Sequence, residues 1–567
     1  MTKTIRSYLE KNARETPQAV ALRYNVAKEW HTRTWAEFLD GVRAVAEAYG
    51  PRFALKPGVE NVALMLGNSP EWMEAYLACS GAGVSVVPLD PKLHSAEVAY
   101  ILKDAGAVVV TTDKAHLDLM RLIAPELPDL RAVVLVDGDG KTFEPLREGA
   151  VAVCDYVALR DDPATREKAR GDAAWYAAHV AQEADVASVI YTSGTTGKPK
   201  GAMLTQANFV EDIDGGLQAF DGIVVDGRDT LLVVLPLFHA FSFCTNFVLG
   251  LFRGCEMAFV RSLYTIGEDL HVLRPTIVMS VPLLAEKMYD RIDAKIKASK
   301  RAKILMAIGL GALVRANVRK GLGGRLRIMI VGGAPCPHHV LEGYKRLGIP
   351  VFEGYGLTEC SPVVSIAGPK TAKIGTIGHK LPNIEIRLAE QNEQGVGELQ
   401  VRGPITMKGY WHNDAATADA FDEGGWLKTG DLASVDEAGL ISIRGRKKAL
   451  IVNREGKNIY PEEVENRIGA DPVVADCVVV GYLTGGVPGE KIGCVVHPNM
   501  DVLKEMNNGV DVTWEAAEKE ARARIHAQCQ HLADYKRVRK VVISREPLER
   551  TSIQKVRRVA YKGKLDE

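Results

Sequence analysis

Tyr191-Thr192-Ser193-Gly194-Thr195-Thr196-Gly197-Lys198-Pro199-Lys200-Gly201 forms a dense polar stretch directly after a mostly apolar run, Val186 to Ile190. Four Ser/Thr hydroxyls, three glycines and two lysines fall within it. Glycine lets backbone N–H groups approach an anion with no Cβ in the way. Successive N–H groups in such a turn make a concavity for phosphate oxygens, and hydroxyls and ammonium groups add donors. The stretch reads as a loop at a strand end that grips a polyphosphate. Taken alone, the same composition also describes a solvated Gly/Thr loop. It is not the P-loop of NTPases, which needs four residues between its glycine and Gly-Lys-Ser/Thr. Gly194 and Gly197 are too close for that, and Pro199 follows Lys198.

The layout recurs downstream. Arg327 to Val331 reads as a strand running into Gly332-Gly333-Ala334-Pro335. Val351-Phe352 reads as a short strand running into Glu353-Gly354-Tyr355-Gly356-Leu357-Thr358-Glu359. In open α/β sheets, ligands bind beyond the carboxyl ends of the strands, so three Gly-rich strand ends predict one crevice.

Upstream, helical periodicity covers Ser7 to Arg14, Trp35 to Tyr49, Glu71 to Ser80 and Glu97 to Asp104. Asn61 to Leu66, Val84 to Leu89 and Ala107 to Thr111 are short apolar strands between them. This alternation predicts an α/β fold with a mainly parallel sheet. Leu159 to Asp185 is polar and Ala-rich and reads as solvated surface. Thr205 can cap a helix through the 210s. Leu231 to Phe252 runs 22 residues without a formal charge, long enough to span a membrane. Pro236, His239, Ser242, Thr245 and Asn246 interrupt it, so a strand, a break and an apolar helix lining a pocket is the better reading. A strand at Thr276 to Ser280 precedes helices through Lys320 rich in basic residues, a pattern usually explained by solvation. From about 370 to 443 many glycines and short strands predict a β-rich subdomain. After the basic connector Ile443 to Lys448, a new strand, Ala449 to Val452, opens a small α+β domain. It has a helix after Pro461, strands near Val473 to Tyr482 and Ile492 to Val496, and an amphipathic helix from Trp514. The expected division is 1–445 and 446–567.

With 71 basic and 71 acidic residues the chain has no net charge, so bulk electrostatics give no reason to expect a nucleic-acid partner. Nine scattered cysteines without a Cys-x-x-Cys pair predict buried thiols of a reducing compartment, not a disulfide framework or zinc site. The N-terminal residues carry charge where a secretion signal needs an apolar run, so a cytoplasmic protein is expected.

Taken together these stretches resemble the adenylate-forming (AMP-binding) superfamily, above all medium- and long-chain fatty acyl-CoA synthetases. The resemblance covers nearly the whole chain. It rests on the 191–201 phosphate loop, Gly354-Tyr355-Gly356-Leu357-Thr358-Glu359, Trp426-Leu427-Lys428-Thr429-Gly430-Asp431, Gly445-Arg446-Lys447-Lys448 and a terminal lysine, in the family's order. Thr34-Trp35-Ala36-Glu37-Phe38 and Pro88-Leu89-Asp90-Pro91 also look familiar. One departure is Gln554, where many members have glycine before the terminal lysine; it bears on the local loop shape.

The resemblance implies a two-step reaction. A carboxylate attacks the α-phosphate of Mg-ATP, giving acyl-adenylate and pyrophosphate, and a thiol then displaces AMP. It implies that Lys555 brings a cation to the α-phosphate and carboxylate oxygens, that Glu359 holds Mg²⁺ and that Thr358 donates to phosphate. Thr192, Ser193, Gly194, Thr195, Thr196, Gly197 and Lys198 are implied to hold the outer phosphates. Gly333, Ala334, Pro335 and Tyr355, with Gly354 and Gly356 beside it, are implied to enclose adenine. Asp431, assisted by Arg446, accepts from the ribose hydroxyls, and His239 sits near the acyl carboxylate. Gly456, Lys457 and Asn458 belong to the CoA side, and the small domain turns about Lys448 between half-reactions. Read singly, Glu359 is a surface carboxylate, Asp431 a turn residue, Lys555 part of a solvated tail and His239 a core histidine.

Peptide-synthetase adenylation domains place an aspartate where this chain has Phe238-His239-Ala240-Phe241-Ser242-Phe243-Cys244, so an uncharged acyl group is implied. Phe247 to Phe252 suits either a fatty chain or plain core packing. No carrier segment follows Lys555, so CoA is the expected acceptor, with acyl carrier protein the alternative. An aryl- or short-acid-CoA ligase and a non-catalytic nucleotide-binding protein are the rival readings. Peripheral contact with the inner face of a membrane is compatible with all of them.

Overall fold

The computed structural model describes residues 2–146, 150–171, 174–192, 198–220, 223–452, 457–484, 487–550 and 556–565. Two large, mostly parallel sheets carry the body of the chain. In the nine-stranded sheet the order is His379–Lys380, Val363–Ile366, Val351–Gly356, Ile328–Val331, Ile277–Ser280, Thr230–Val233, Glu256–Phe259, Val20–Val26 and Glu29–Thr34. Its centre is parallel and its edges antiparallel. The eight-stranded sheet runs Gly409–Tyr410, Lys200–Thr205, Val186–Thr192, Ser85–Pro88, Asn61–Leu64, Ala107–Thr112, Ala132–Leu135 and Ala152–Asp155. The central strands of both sheets are buried on both faces, as their unbroken apolar runs require.

Helices cover these sheets where the periodicity places them. Trp35–Tyr49 begins with a capping box: Thr34 accepts from the Glu37 N–H, and the Glu37 carboxylate accepts from the Thr34 N–H at 2.7 Å, a device worth about 1 kcal/mol. Its Trp35, Phe38 and Val42 are fully buried. Thr205 caps Gln206–Ala219, its hydroxyl accepting from Asn208 N at 3.1 Å.

The 191–201 stretch follows a strand as expected, and the strand it leads into, Lys200–Thr205, pairs antiparallel with Val186–Thr192. Its strand lies in a different sheet from Ile328–Val331 and Val351–Gly356, so the three Gly-rich ends come from two sheets. One expectation needs correction. Leu159 to Asp185 is not simply solvated. Tyr176 is fully buried, the Arg6 guanidinium lies 3.7 Å from its ring centroid, and Arg6 donates to the Tyr176 and His179 carbonyls at 2.7 and 2.8 Å.

The apolar run from Leu231 breaks as expected into Thr230–Val233, Ala240–Ser242, a π-helical turn Phe243–Val248 and Leu249–Arg253. Phe243 and Phe247 pack edge-on against Trp72 at 6.1 Å, and Phe243 lies 4.8 Å from Phe209, so this segment builds core. Among the described residues no helix is long and apolar enough to cross a membrane. All nine cysteines are free thiols, and only Cys477 is not fully buried.

The β-rich part is a four-stranded antiparallel sheet, Glu385–Ala389, Gly397–Arg402, Leu427–Val435 and Ile441–Arg446. After Arg446 the chain leaves it through one tight turn, Lys447–Ala449. A smaller α+β unit follows, with Pro461–Ile468 and Trp514–Cys529 packed on Val474–Thr484, Val487–Pro498 and Lys540–Ile543. Ala517, Ala521 and Ile525 form the buried face of the second helix.

Candidate active site

Thr429, Gly430 and Asp431 lie inside the strand Leu427–Val435, not at a free turn. Gly430 takes a left-handed φ of +71°, and the pairing with both neighbouring strands slips nearby. Such a bulge re-aims a side chain. The Thr429 hydroxyl accepts from the Asp431 N–H at 3.0 Å and donates to the Leu399 carbonyl at 2.6 Å. Asp431 is 3% exposed. Its Oδ2 accepts from the Tyr355 hydroxyl at 2.6 Å, and its Oδ1 lies 2.6 Å from Arg446 Nε. Asp431 and Arg446 are register partners in adjacent strands. Burial first, and then the Asp431 carboxylate, hold the Tyr355 phenol well above its usual range, so it remains a donor at neutral pH.

Tyr355 sits in Val351–Gly356, beside the strand that ends at Gly332 and Gly333. Gly333 has φ +86°, which favours glycine. Cys336, just past Pro335, donates its N–H to Glu353 Oε1 at 3.2 Å, and burial pushes the Glu353 carboxyl up to about 7. Gly356 is required by contact: a Cβ there would lie 1.7 Å from the Pro362 carbonyl oxygen.

The chain then turns through Thr358–Cys360. The Glu359 carbonyl accepts from Met407 N at 2.8 Å, and its Oε1 accepts from the Tyr410 hydroxyl at 2.9 Å. Burial and Glu359 together raise the Tyr410 phenol. Tyr410 pairs with Ala202 in the strand that follows the 191–201 stretch, and Lys200 Nζ lies 5.3 Å from its ring centroid. The strip 407–411 thus ties the two sheets together and brings Glu359 to the base of that stretch. On its other flank Lys198 Nζ stands 5.2 Å from the Tyr100 ring, Tyr100 donates to the Pro199 carbonyl at 3.2 Å, and Tyr191 donates to Asp104 at 2.5 Å. Thr192 ends the outgoing strand. Ser193 to Gly197 lie outside the described residues, as do Gly456 and Lys555.

His239 is half-buried and caps the turn Ala240–Ser242, its Nδ1 accepting from Phe241 N at 3.4 Å. A Cβ on Gly332 would lie 3.1 Å from the Phe241 ring, so this turn abuts the Gly332–Gly333 bend. Lys457 lies 5.0 Å from the Tyr535 ring and Asn458 pairs with Val452, both within the smaller unit. Lys448 is in the connecting turn. Among the described residues no cluster of three metal-ligating side chains exists. A lone carboxylate such as Glu359 suits a hard cation that takes its other ligands from substrate phosphate and water.

Sequence reasoning passed over Tyr410, the Glu353 carboxyl and Asp212. Asp212 is 1% exposed; its Oδ1 accepts from Val363 N at 2.8 Å, and Cys244 Sγ donates to its Oδ2 at 3.1 Å. It therefore braces the chain just beyond the Thr358–Cys360 turn. Burial pushes its carboxyl well above the usual range. The folded state then keeps a proton that the unfolded chain gives up above about pH 4, so stability falls as pH rises, by up to about 1.4 kcal/mol per pH unit. Asp212→Asn removes this dependence. In thermal denaturation its Tm relative to wild type is expected to climb as pH rises above the ordinary aspartate range. Asp212→Ala leaves the Val363 N–H buried without an acceptor and is expected to cost about 1–3 kcal/mol at low pH, the gap to wild type narrowing as pH rises. A pH-independent gap between Asp212→Asn and wild type would contradict this account.

A family model described as "AMP-binding enzyme" matches residues 9–411. Among curated relatives, long-chain-fatty-acid–CoA ligase FadD15 of Mycobacterium bovis is 32% identical over 509 residues, 82% of this chain and 78% of that one. Long-chain-fatty-acid–CoA ligase 6 of Mus musculus is 33% identical over 493 residues, covering 81% and 69%. Among solved structures, ATP-bound MatB from Rhodopseudomonas palustris superposes with a TM-score of 0.77 at 25% identity, covering 99% of both chains. A family match over well more than half the sequence and relatives aligned along most of their own length agree with the site geometry: the chain belongs to the AMP-binding enzyme family.

Proposed function

We propose that the chain joins a medium- to long-chain fatty acid to CoA at the expense of ATP, releasing AMP and pyrophosphate. The observation that carries this reading is the 32% identity, across 78% of its length, to a relative named as a long-chain-fatty-acid–CoA ligase. In the first half-reaction a fatty-acid carboxylate oxygen attacks the α-phosphorus, and the bond to the bridging oxygen of pyrophosphate breaks. In the second, the CoA sulfur attacks the acyl carbon, AMP leaves, and the thiol proton passes to solvent.

In this reading Asp431 accepts from the ribose hydroxyls while Tyr355 and Arg446 hold it in place. Tyr355 and Gly333–Pro335 bracket adenine, with Gly354 and Gly356 on either side of Tyr355. Thr192 to Lys198 hold the outer phosphates and Thr358 donates to them. Glu359, steadied by Tyr410, holds Mg²⁺, which when bound offsets phosphate charge. Lys555 neutralises charge where the carboxylate and the α-phosphate meet, and His239 lies on the carboxylate's approach. Gly456, Lys457 and Asn458 serve the CoA side. Residues 446–567 act as a lid that turns about Lys448; its place in the single connecting turn supports that assignment.

ATP–pyrophosphate exchange across saturated acids of graded length, with benzoate beside them, tests the substrate class. Each buried methylene is worth about 0.8 kcal/mol, so kcat/KM is expected to rise roughly fourfold per carbon until the pocket is full. Thioester should form with free CoA. Benzoate turning over faster than every fatty acid, or no exchange with any acid, overturns the reading.

A further inference from the structure

In a chain with no net charge, residues 294–341 contain ten lysines and arginines and not one carboxylate. The segment's most exposed part is a helical hairpin, Lys300–Ala307 and Gly311–Gly321. The first helix buries no residue and the second buries only Val314. Arg319 ties the second helix down by donating to the Gly348 carbonyl at 2.6 Å, and Val318 packs on the core. The tip, Ile308-Gly309-Leu310, turns through Gly309 at φ +79°. Around it Ile304, Met306, Ile308, Leu310 and Leu313 are 60, 56, 62, 47 and 55% exposed. Lys300, Arg301, Lys303, Arg315 and Lys320 are exposed beside them, and among the described residues none forms an ion pair with a carboxylate.

The geometry points to this hairpin as the surface by which the protein docks on an anionic lipid bilayer. Apolar side chains at a tip, flanked by cations, match an interface with hydrocarbon beneath a layer of phosphate. Charge argues against a second copy of the chain as occupant, because two such segments repel each other. A nucleic acid uses the cations but gives five exposed aliphatic side chains nothing to enter. The surface goes beyond the proposed reaction, and its test does not depend on that reaction.

Sedimentation of the full chain with phosphatidylcholine vesicles, with and without phosphatidylglycerol, measures docking. Binding is expected to require the anionic lipid and to weaken with added salt. The triple variant Lys300→Gln/Arg301→Gln/Lys303→Gln should bind about a hundredfold more weakly, roughly fivefold per cation removed. Ile308→Ser/Leu310→Ser should lose at least tenfold, the tip no longer entering the acyl region. Both variants should keep the wild-type circular dichroism spectrum and Tm, which shows that they fold. Equal binding to neutral vesicles, unchanged binding of both variants, a gel shift with RNA or DNA in place of vesicle binding, or self-association that Ile308→Ser/Leu310→Ser abolishes would each overturn the proposal.

Discussion

Lys555→Ala is expected to lower ATP–pyrophosphate exchange by about 10²–10³-fold, the usual cost of removing one group aimed at developing charge in a transition state. Two anions must meet in the first half-reaction, and a cation at their meeting point acts most strongly when the phosphorus is five-coordinate. The second half-reaction has different needs. Its nucleophile is sulfur, its leaving group is AMP, and no pyrophosphate departs. The same variant, given acyl-adenylate and CoA, is therefore expected to form thioester within a few-fold of wild type. Equal loss in both assays would place Lys555 in a general structural role, and full exchange activity would remove it from the chemistry altogether.

The division between what the sequence announces and what it hides follows the range of the interactions. Trp35–Tyr49 could be read because its cap, Thr34 and Glu37, and its apolar stripe lie within one continuous segment. Asn61–Leu64 and Ala107–Thr112 could be read because burial on both faces leaves unbroken apolar runs. Lys200–Thr205 could not. Six residues opening with lysine and glycine resemble the tail of a loop, and only pairing with Val186–Thr192 makes them a strand. Gly409–Tyr410 is two residues long and pairs with a strand some two hundred positions earlier, so nothing local marks it. Tyr176 was misjudged for the same reason: Arg6, whose guanidinium lies against its ring, is far away in sequence.

The site shows the same pattern. Asp431 and Arg446 were legible as motif residues, and the register that pairs them belongs to one local sheet. Tyr410 reads as an ordinary surface aromatic until the strip 407–411 crosses from one large sheet to the other and sets its hydroxyl on Glu359. Asp212 lies on a helix whose neighbouring acids, Glu211 and Asp214, suggest a polar face. Its burial depends on Val363 and Cys244, which arrive from two other elements.

Asp431→Ala is expected to raise the dissociation constant for AMP by about 10²-fold or more. Hydrogen bonds to a charged group contribute about 1.5–3 kcal/mol each, and two ribose hydroxyls are proposed to donate to this carboxylate. A carboxylate has about four acceptor positions. Tyr355 and Arg446 each approach this carboxylate and hold it in place, and the ribose hydroxyls are proposed to donate to the same group. The substitution also removes the acceptor of a buried phenol, which should lower stability by about 1–3 kcal/mol. Calorimetric AMP titration and thermal denaturation of the same samples separate the two effects. Asp431→Asn makes the separation sharper. Its amide oxygen can still accept from Tyr355, but its NH₂ faces Arg446 and cannot accept from the ribose. Stability near wild type with AMP affinity still down at least tenfold is the expected outcome. Loss of stability without loss of affinity would reduce Asp431 to a tie between two strands, and the ribose would then have to be held by another group.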